Sequence, residues 1–190
     1  MPKKDREGQA TVLTRDQWDE VWIELDQPYR LATQIAYYCA ERMGAVVQLS
    51  ADDIGATHIR FKGVTTKTGE MKQSRITPAL RNAFGEAMPK ANAAADISSG
   101  GFIFPGSGAT GHLTTRAVEK WLKRAAGLLG HEGVSNHSPR RSRCTHLDEA
   151  GWSLEKISKV SGHKSLASLE KYIDRDRREA EANLMELDAV

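Results

Sequence analysis

The segment from residue 136 to residue 175 reads NHSPRRSRCTHLDEAGWSLEKISKVSGHKSLASLEKYIDR. His137 and Arg140 stand three residues apart near a predicted helix start, so both side chains lie on one face at the positive end of the helix dipole. That arrangement suits an anionic oxygen such as that of a phosphate. His163 follows, and Tyr172 comes nine residues later. Taken alone, Tyr172 favours a structural role at the edge of a core-facing helical stripe.

Helical signals dominate the chain around this segment. Thr14 and Gln17 have the spacing of a capping box, and apolar residues follow at helical spacing. Pro28, Thr77-Pro78 and Thr114 each stand at a further predicted helix start. The segment quoted above supplies the last predicted helices, near residues 136–150, 154–161 and 165–173.

Two short segments have the alternating pattern of β-strands. Residues 57–61 and 74–77 alternate apolar and polar side chains, and glycine turns lie between them, which predicts a hairpin. Residues 87–101 are predicted to be a loop and residues 102–104 a short strand. The predicted fold class is therefore α+β, mainly helical with a small antiparallel β-sheet.

The composition is that of one ordinary globular domain. The 190 residues are 39% hydrophobic and 27% charged, enough to bury a real core. The polar start predicts no signal peptide, and no apolar run approaches the ~20 residues of a membrane span. Two cysteines, Cys39 and Cys144, give no disulfide framework. We therefore expect a cytoplasmic protein without membrane contact.

Charge is distributed unevenly, although the net charge is only +2. Residues 56–81 carry six basic side chains against one acid, and residues 112–145 carry seven against two. The last stretch, residues 174–190, reverses the sign with six acids against three arginines. Two basic blocks are compatible with a polyanionic partner, although solvated helix faces would give the same pattern.

Two other motifs are weak. The glycines of GSGATG, residues 106–111, match a dinucleotide-binding pattern, but that pattern requires a βαβ unit. Pro105 interrupts any preceding strand and helices follow, so a loop is the better interpretation. The cysteines and histidines lack metal-site spacing. We expect neither a metal nor another cofactor.

The order of residues resembles the tyrosine recombinases, also called phage integrases. The H-x-x-R of His137 and Arg140, followed by EAGWSLEKISKVSGHKSLASLEKY, is similar to the family's second and third signature boxes. Upstream, ERMGAVVQLSADDI is similar to the first box, with Arg42 as its arginine. TTKTGEMKQSRIT supplies Lys67 as the family lysine, with Lys62 as a second candidate. The similarity covers residues 12–174, the expected catalytic domain.

The resemblance assigns a role to six residues. Arg42 and Arg140 would hold the non-bridging oxygens of a DNA phosphate, which two planar donor forks can do without metal. His137 and His163 would bind the same phosphate or move protons, and Lys67 would protonate the departing 5′-oxygen. The sixth residue, Tyr172, would attack phosphorus and form a 3′-phosphotyrosine linkage.

The implied activity is site-specific recombination, in which DNA strands are cleaved and rejoined without ATP. A type IB topoisomerase shares most of these residues but generally lacks a histidine at the position of His137. A non-catalytic DNA-binding regulator that keeps the fold is the other alternative. The expected partners are double-stranded DNA and further copies of the chain, since the family assembles as tetramers on DNA. Basic residues expected to contact DNA are Lys62, Lys72, Arg75, Arg116, Lys120, Arg141 and Arg143.

The chain departs from the family pattern at several positions. Ala45 stands where an acid often follows the first arginine by three residues, and Pro139 replaces a usual leucine. Arg143 occupies a position that is generally aromatic or apolar. Only a polar extension, residues 1–11, precedes the catalytic region, so the family's N-terminal DNA-clasping domain is expected to be absent. Residues 175–190 are expected to form a C-terminal tail or helix.

Overall fold

The computed structural model describes residues 9–63, 71–91 and 101–173. Within these ranges the chain is mainly helical with one two-stranded antiparallel sheet, which confirms the predicted fold class. None of the helices described is long and apolar enough to cross a membrane. The elements are α1 (Arg15–Glu24), α2 (Tyr29–Tyr38), α3 (Met43–Val46), a 3₁₀ turn (Ala51–Asp53), β1 (His58–Phe61), β2 (Lys72–Arg75), α4 (Pro78–Ala91), α5 (Thr115–Leu128), α6 (Ser138–Glu149), α7 (Leu154–Ser161) and α8 (Leu166–Tyr172).

Helix α1 begins at the predicted capping box. The Thr14 hydroxyl accepts a hydrogen bond from the Gln17 backbone N–H, and the Gln17 side chain accepts one from the Thr14 N–H at 2.9 Å. These two bonds satisfy amides that a helix start otherwise leaves unpaired. Trp18 and Trp22 are buried and stacked, with ring centroids 5.8 Å apart, and Tyr37 of α2 packs against both. This aromatic cluster joins α1 to α2.

Helix α2 is the central element of the fold. It contacts α1, α3, α4, α5 and α6, and nearly all of its residues are buried. Thr33 is fully buried on it, and its hydroxyl donates to backbone carbonyls of the preceding turn, so this buried hydroxyl is paired. The chain that leaves α2 runs through Cys39–Arg42 directly to the start of α3.

The hairpin pairs β1 with β2 in the register His58 to Arg75 and Phe61 to Lys72. Ile59 and Phe61 are fully buried, as the alternation of a one-sided strand requires. The second strand begins at Lys72, two residues before the predicted start at Ser74. Residues 64–70 between the strands lie outside the described ranges.

Two further predictions need correction. Helix α4 continues to Ala91, so the predicted loop was wrong for residues 87–91. Pro89 lies in the last turn, where a proline removes one helical hydrogen bond while the alanines around it favour the helix. The expected strand at residues 102–104 is reduced to one isolated bridge between Phe102 and Ser50. Residues 92–100 lie outside the described ranges.

The glycine motif forms a tight loop and no βαβ unit. Pro105 and His112 form an isolated antiparallel bridge at its two ends. Gly106 lies so close to the His112 carbonyl that a Cβ at this position would collide with the backbone. The glycine is therefore required by close packing of the loop upon itself, which agrees with the loop interpretation.

Candidate active site

Arg140 is the buried centre of the candidate site. It lies in the first turn of α6, which packs along α2, and only 2% of its surface is exposed. Its Nη1 donates to the Ala40 carbonyl at 2.9 Å and lies 3.6 Å from a carboxylate oxygen of Glu41. These contacts fix the guanidinium plane before any ligand arrives, which is what preorganised stabilisation of an anion requires.

His163 binds the other side of the same guanidinium. Gly162 ends α7 in the left-handed conformation, with φ of 72°, and directs the next residue towards Arg140. The Ser161 hydroxyl donates to the Ile157 carbonyl at 2.8 Å, so it accepts from the His163 Nδ1 at 2.7 Å. This pattern assigns the proton to Nδ1 and leaves Nε2 as the acceptor; the Arg140 Nη2 lies 3.2 Å from Nε2 and 3.3 Å from Nδ1.

His163 is held in its neutral form. Burial, together with the positive charges of Arg140, Arg42 and Lys72, lowers its pKa from 6.5 to about 4. A neutral imidazole beside a phosphate can accept a proton as well as a hydrogen bond. At neutral pH His163 can therefore accept a hydrogen bond, while the positive charges that lower its pKa also weaken it as a base until an anion offsets them.

Tyr172 lies against this pair at the end of α8. Leu169 on the same helix and Ile173 just after it are buried and anchor it. The Tyr172 ring is 5.2 Å from the His163 ring, and the Arg140 guanidinium carbon is 6.0 Å from its centroid. Burial raises the pKa of Tyr172 to about 12, although the nearby arginines act in the opposite direction. The phenol is therefore protonated, and it donates weakly to the His137 carbonyl at 3.4 Å.

Arg141 holds the backbone at Tyr172. Its Nε donates to the Tyr172 carbonyl at 2.8 Å, its Nη1 donates to the Ala10 carbonyl, and the residue is only 6% exposed. These bonds connect α6 to the end of α8 and to the N-terminal segment. The prediction of a DNA contact is not supported for Arg141, because its guanidinium is used within the protein.

Arg42 lies beside the buried arginine at the start of α3. It is partly exposed, and burial together with the charge of Arg140 lowers its pKa. Arg140 and Arg42 also help to lower the pKa of His163. Positive charge is therefore concentrated around these residues. The 3₁₀ turn after α3 is fixed by Asp53, which accepts two hydrogen bonds from Ser50. This turn lies between α3 and β1 in the chain.

An open cleft runs past these residues between β2 and α7. Its lining includes four cationic side chains, the neutral His163 and one acid, Glu41. The cationic side chains are Arg42, Lys72, Lys159 and Lys164. Sequence reasoning missed Lys159 and Lys164, although their spacing around Gly162 places both beside His163. An anionic strand would meet positive charge along the whole cleft.

Lys72 occupies an unexpected position. Its ammonium donates to the Cys39 carbonyl and to Glu41, both at 2.9 Å, and its side chain is only 13% exposed. Burial lowers its pKa, while Glu41 acts to raise it. The prediction of a DNA contact is therefore not supported in this conformation, since two of its three donors are directed inward.

The remaining predicted residues are spread over the surface. Lys62 forms an ion pair with Asp53 at 3.1 Å, and Arg143 lies over the Tyr37 ring at 5.5 Å. Arg75, Arg116 and Lys120 are exposed, and the His137 side chain is exposed beside the Tyr172 hydroxyl's acceptor. Lys67 lies outside the described residues. In the described part of the chain, no three His, Cys, Asp or Glu side chains are grouped to hold a metal ion.

The chain belongs to the phage integrase family. The family model matches residues 11–179, which includes every helix of the candidate site. This confirms the resemblance drawn from the sequence. Five residues that are far apart in the sequence come together in a single region of the fold. They are Arg42, His137, Arg140, His163 and Tyr172.

Curated relatives are tyrosine recombinases. The chain is 30% identical over 160 residues to tyrosine recombinase XerC of Rhodospirillum centenum, which covers 82% of this chain and 44% of that protein. It is 26% identical over 171 residues to tyrosine recombinase XerD of Rhizobium meliloti, covering 87% of this chain and 52% of that protein. The chain thus spans about half the length of these relatives.

Solved structures share the fold. XerA recombinase superposes with a TM-score of 0.74 at 15% identity, covering 98% of this chain and 66% of that chain. The post-cleavage complex of XerH site-specific recombinase with a palindromic difH substrate superposes with a TM-score of 0.73 at 18% identity, covering 93% and 53%. At such identities the likeness shows the fold, and the chemistry has to be argued from the residues.

Proposed function

We propose that this chain is the catalytic part of a tyrosine-type site-specific recombinase. It cleaves and rejoins double-stranded DNA through a 3′-phosphotyrosine intermediate, without metal or ATP. The observation that carries the proposal is the packing of the Tyr172 ring against the Arg140–His163 pair, 5.2 Å from the imidazole. A nucleophile, a neutral base and a fixed cation occur together there, as phosphoryl transfer requires.

Arg42 and Arg140 bind the scissile phosphate in this proposal. Both carry positive charge into a partly desolvated region, where donors aimed at an oxyanion are worth more than in water. His137 lies at the start of α6, beside the carbonyl that accepts from Tyr172, and would add a donor to the same phosphate. Lys67, in the segment before β2, is the proposed acid for the 5′-oxygen.

The attack itself requires a change at Tyr172. Its pKa of about 12 means that the phenol carries its proton at neutral pH. A phosphate that binds both arginines would leave His163 Nε2 available to accept that proton, because Arg140 would then donate to the phosphate. The new P–O bond forms as the bond to the 5′-oxygen breaks, so a second strand end can reverse the step.

A suicide substrate tests the proposal directly. Because the target sequence is unknown, a pool of nicked duplexes with randomised cores is incubated with the protein, and covalent adducts are recovered after denaturation. Wild-type protein should yield an adduct attached to DNA, whereas Tyr172→Phe should yield none while still binding DNA. Tyr29→Phe is the matched control, because Tyr29 stacks on Trp121 away from the site.

Two outcomes would contradict parts of the proposal. An adduct that persists in Tyr172→Phe would show that another residue is the nucleophile. Relaxation of supercoiled plasmids of any sequence, without enrichment of particular cores, would favour a type IB topoisomerase. DNA binding without an adduct in the wild type would favour a non-catalytic regulator.

We further propose that the active assembly is a homotetramer on DNA. Support comes from the family resemblance and from the chemistry, because exchange between two duplexes requires four cleaved strands. One structural neighbour, at 21% identity and a TM-score of 0.67, is described as a lambda integrase dimer bound to a COC' core site. Mass measurement of the protein with captured target DNA should give four chains on two duplexes.

A further inference from the structure

Glu41 is a buried charged residue to which the mechanism above gives no role. Only 2% of its surface is exposed. One carboxylate oxygen accepts from the Lys72 ammonium at 2.9 Å. The other accepts from the Arg42 backbone N–H at 2.8 Å and lies 3.6 Å from the Arg140 Nη1. A single carboxylate therefore contacts both arginine positions of the site and the first residue of β2.

The residues around Glu41 form an acceptor turn, which we define as Cys39–Glu41. The Cys39 carbonyl accepts from Lys72, and the Ala40 carbonyl accepts from Arg140, both at 2.9 Å. Ala40 has a φ of 46°, a left-handed conformation that a residue with a Cβ adopts unfavourably. Such a conformation persists only where its surroundings impose it. Here it directs two carbonyls and one carboxylate towards the same two cations.

Charge balance makes the carboxylate necessary. Arg140 and Lys72 are both largely buried, and buried cations need a paired anion. Glu41 is the only acid among the described residues that line the cleft. The position three residues after Arg42, where an acid often occurs in the family, holds the buried Ala45. The acid of this chain stands immediately before Arg42 instead.

We propose that Glu41 is a positioning residue for Arg140. Glu41 touches no reacting atom. It fixes the direction of the Arg140 Nη1 and, through the Arg42 amide, the start of α3. This inference rests on the proposed function, because it concerns the same site. Loss of the carboxylate should misplace the arginine against the phosphate, and small misplacements cost on the order of 10²-fold in rate.

The test compares two substrates in single-turnover cleavage. One is the nicked target duplex, and the other carries a neutral methylphosphonate at the scissile position. Glu41→Gln should cleave the phosphodiester roughly 10²-fold more slowly than wild type. On the methylphosphonate its defect should largely disappear, because an anionic oxygen for the arginine is missing there. Arg140→Ala provides the reference for that signature, and Glu155→Gln, on the exposed face of α7, should behave as wild type.

Folding is controlled by a second variant. Glu41→Gln leaves two buried cations without an anion, so Glu41→Gln/Lys72→Met removes one charge of each sign. The double variant should melt closer to the wild type than Glu41→Gln does, and it should still show the substrate-dependent defect. Equal slowing on both substrates, or wild-type rates in the folded double variant, would overturn the positioning role. A wild-type chain that forms no adduct with either substrate would overturn the proposed function, and this inference with it.

Discussion

Replacement of Arg140 by lysine separates charge from geometry at the centre of the site. The guanidinium uses Nη1 for the Ala40 carbonyl and Nη2 for His163 Nε2, so two different nitrogens hold two partners. A lysine ammonium is a single point and can reach one of these partners. The other is left buried without a donor, which costs about 1–3 kcal/mol. In a domain of this size that lowers the melting temperature by roughly 2–12 °C.

The effect on cleavage should be larger than the effect on stability. Loss of one preorganised donor to the phosphate raises the barrier by about 2.7–4 kcal/mol, so Arg140→Lys should cleave roughly 10²–10³-fold more slowly. Thermal unfolding and single-turnover adduct formation measure the two effects separately. Arg124→Lys, an exposed arginine on α5, is the matched control. An Arg140→Lys chain that melts and cleaves like the wild type would refute the claim that the guanidinium must hold two partners at once.

Two further predictions concern His163 and the basic cleft. The native pKa of His163 lies near 4, below its ordinary 6.5, so the unfolded chain takes up a proton in this interval that the native chain does not. The stability from neutral His163 is therefore complete above pH 6.5 and lost as pH falls towards 4. Urea unfolding of His163→Gln should show a smaller loss than wild type across that window, and equal losses would contradict the pKa shift. Lys159→Gln/Lys164→Gln should reduce the salt dependence of DNA binding by about one phosphate contact per lysine. The control is Lys156→Gln, on α7 with Lys159, which should leave the salt dependence unchanged. An unchanged salt slope would exclude the cleft as a DNA path.

The sequence predicted most of the fold because its signals were local. The capping box at Thr14 and the cap at Thr114 define helix starts within a few residues, and Gly162 ends a helix where no other residue adopts its conformation easily. The order of the site residues was also readable, because family motifs preserve spacing. The extension of α4 past Pro89 was not readable, since a local proline signal outweighed the alanines around it.

The direction of long side chains could not be predicted. Lys72 and Arg141 looked like DNA contacts because a count of basic residues cannot say which way a side chain points. Tertiary packing decides this: α6 against α2 directs Arg141 towards the Tyr172 carbonyl, and the hairpin directs Lys72 towards Glu41. Glu41 was missed for the same reason, because a single glutamate in a helical sequence is ordinarily solvated.

Under the proposed function, the observed arrangement of Tyr172 and His163 needs a change before the tyrosine can attack. Tyr172 is protonated, with a pKa of about 12, and its hydroxyl faces a backbone carbonyl. The acceptor nitrogen of His163 is occupied by Arg140. One event can reverse both conditions, since a phosphate that draws the Arg140 donors to itself releases the His163 Nε2 beside the tyrosine. The negative charge that would develop on the phenol oxygen lies close to Arg140 and Arg42. The phosphate that supplies the phosphorus would therefore also free the base. Under the proposed function, activation would be coupled to substrate binding through Arg140, which gives a reason for the burial of this residue and for the contacts that hold its guanidinium.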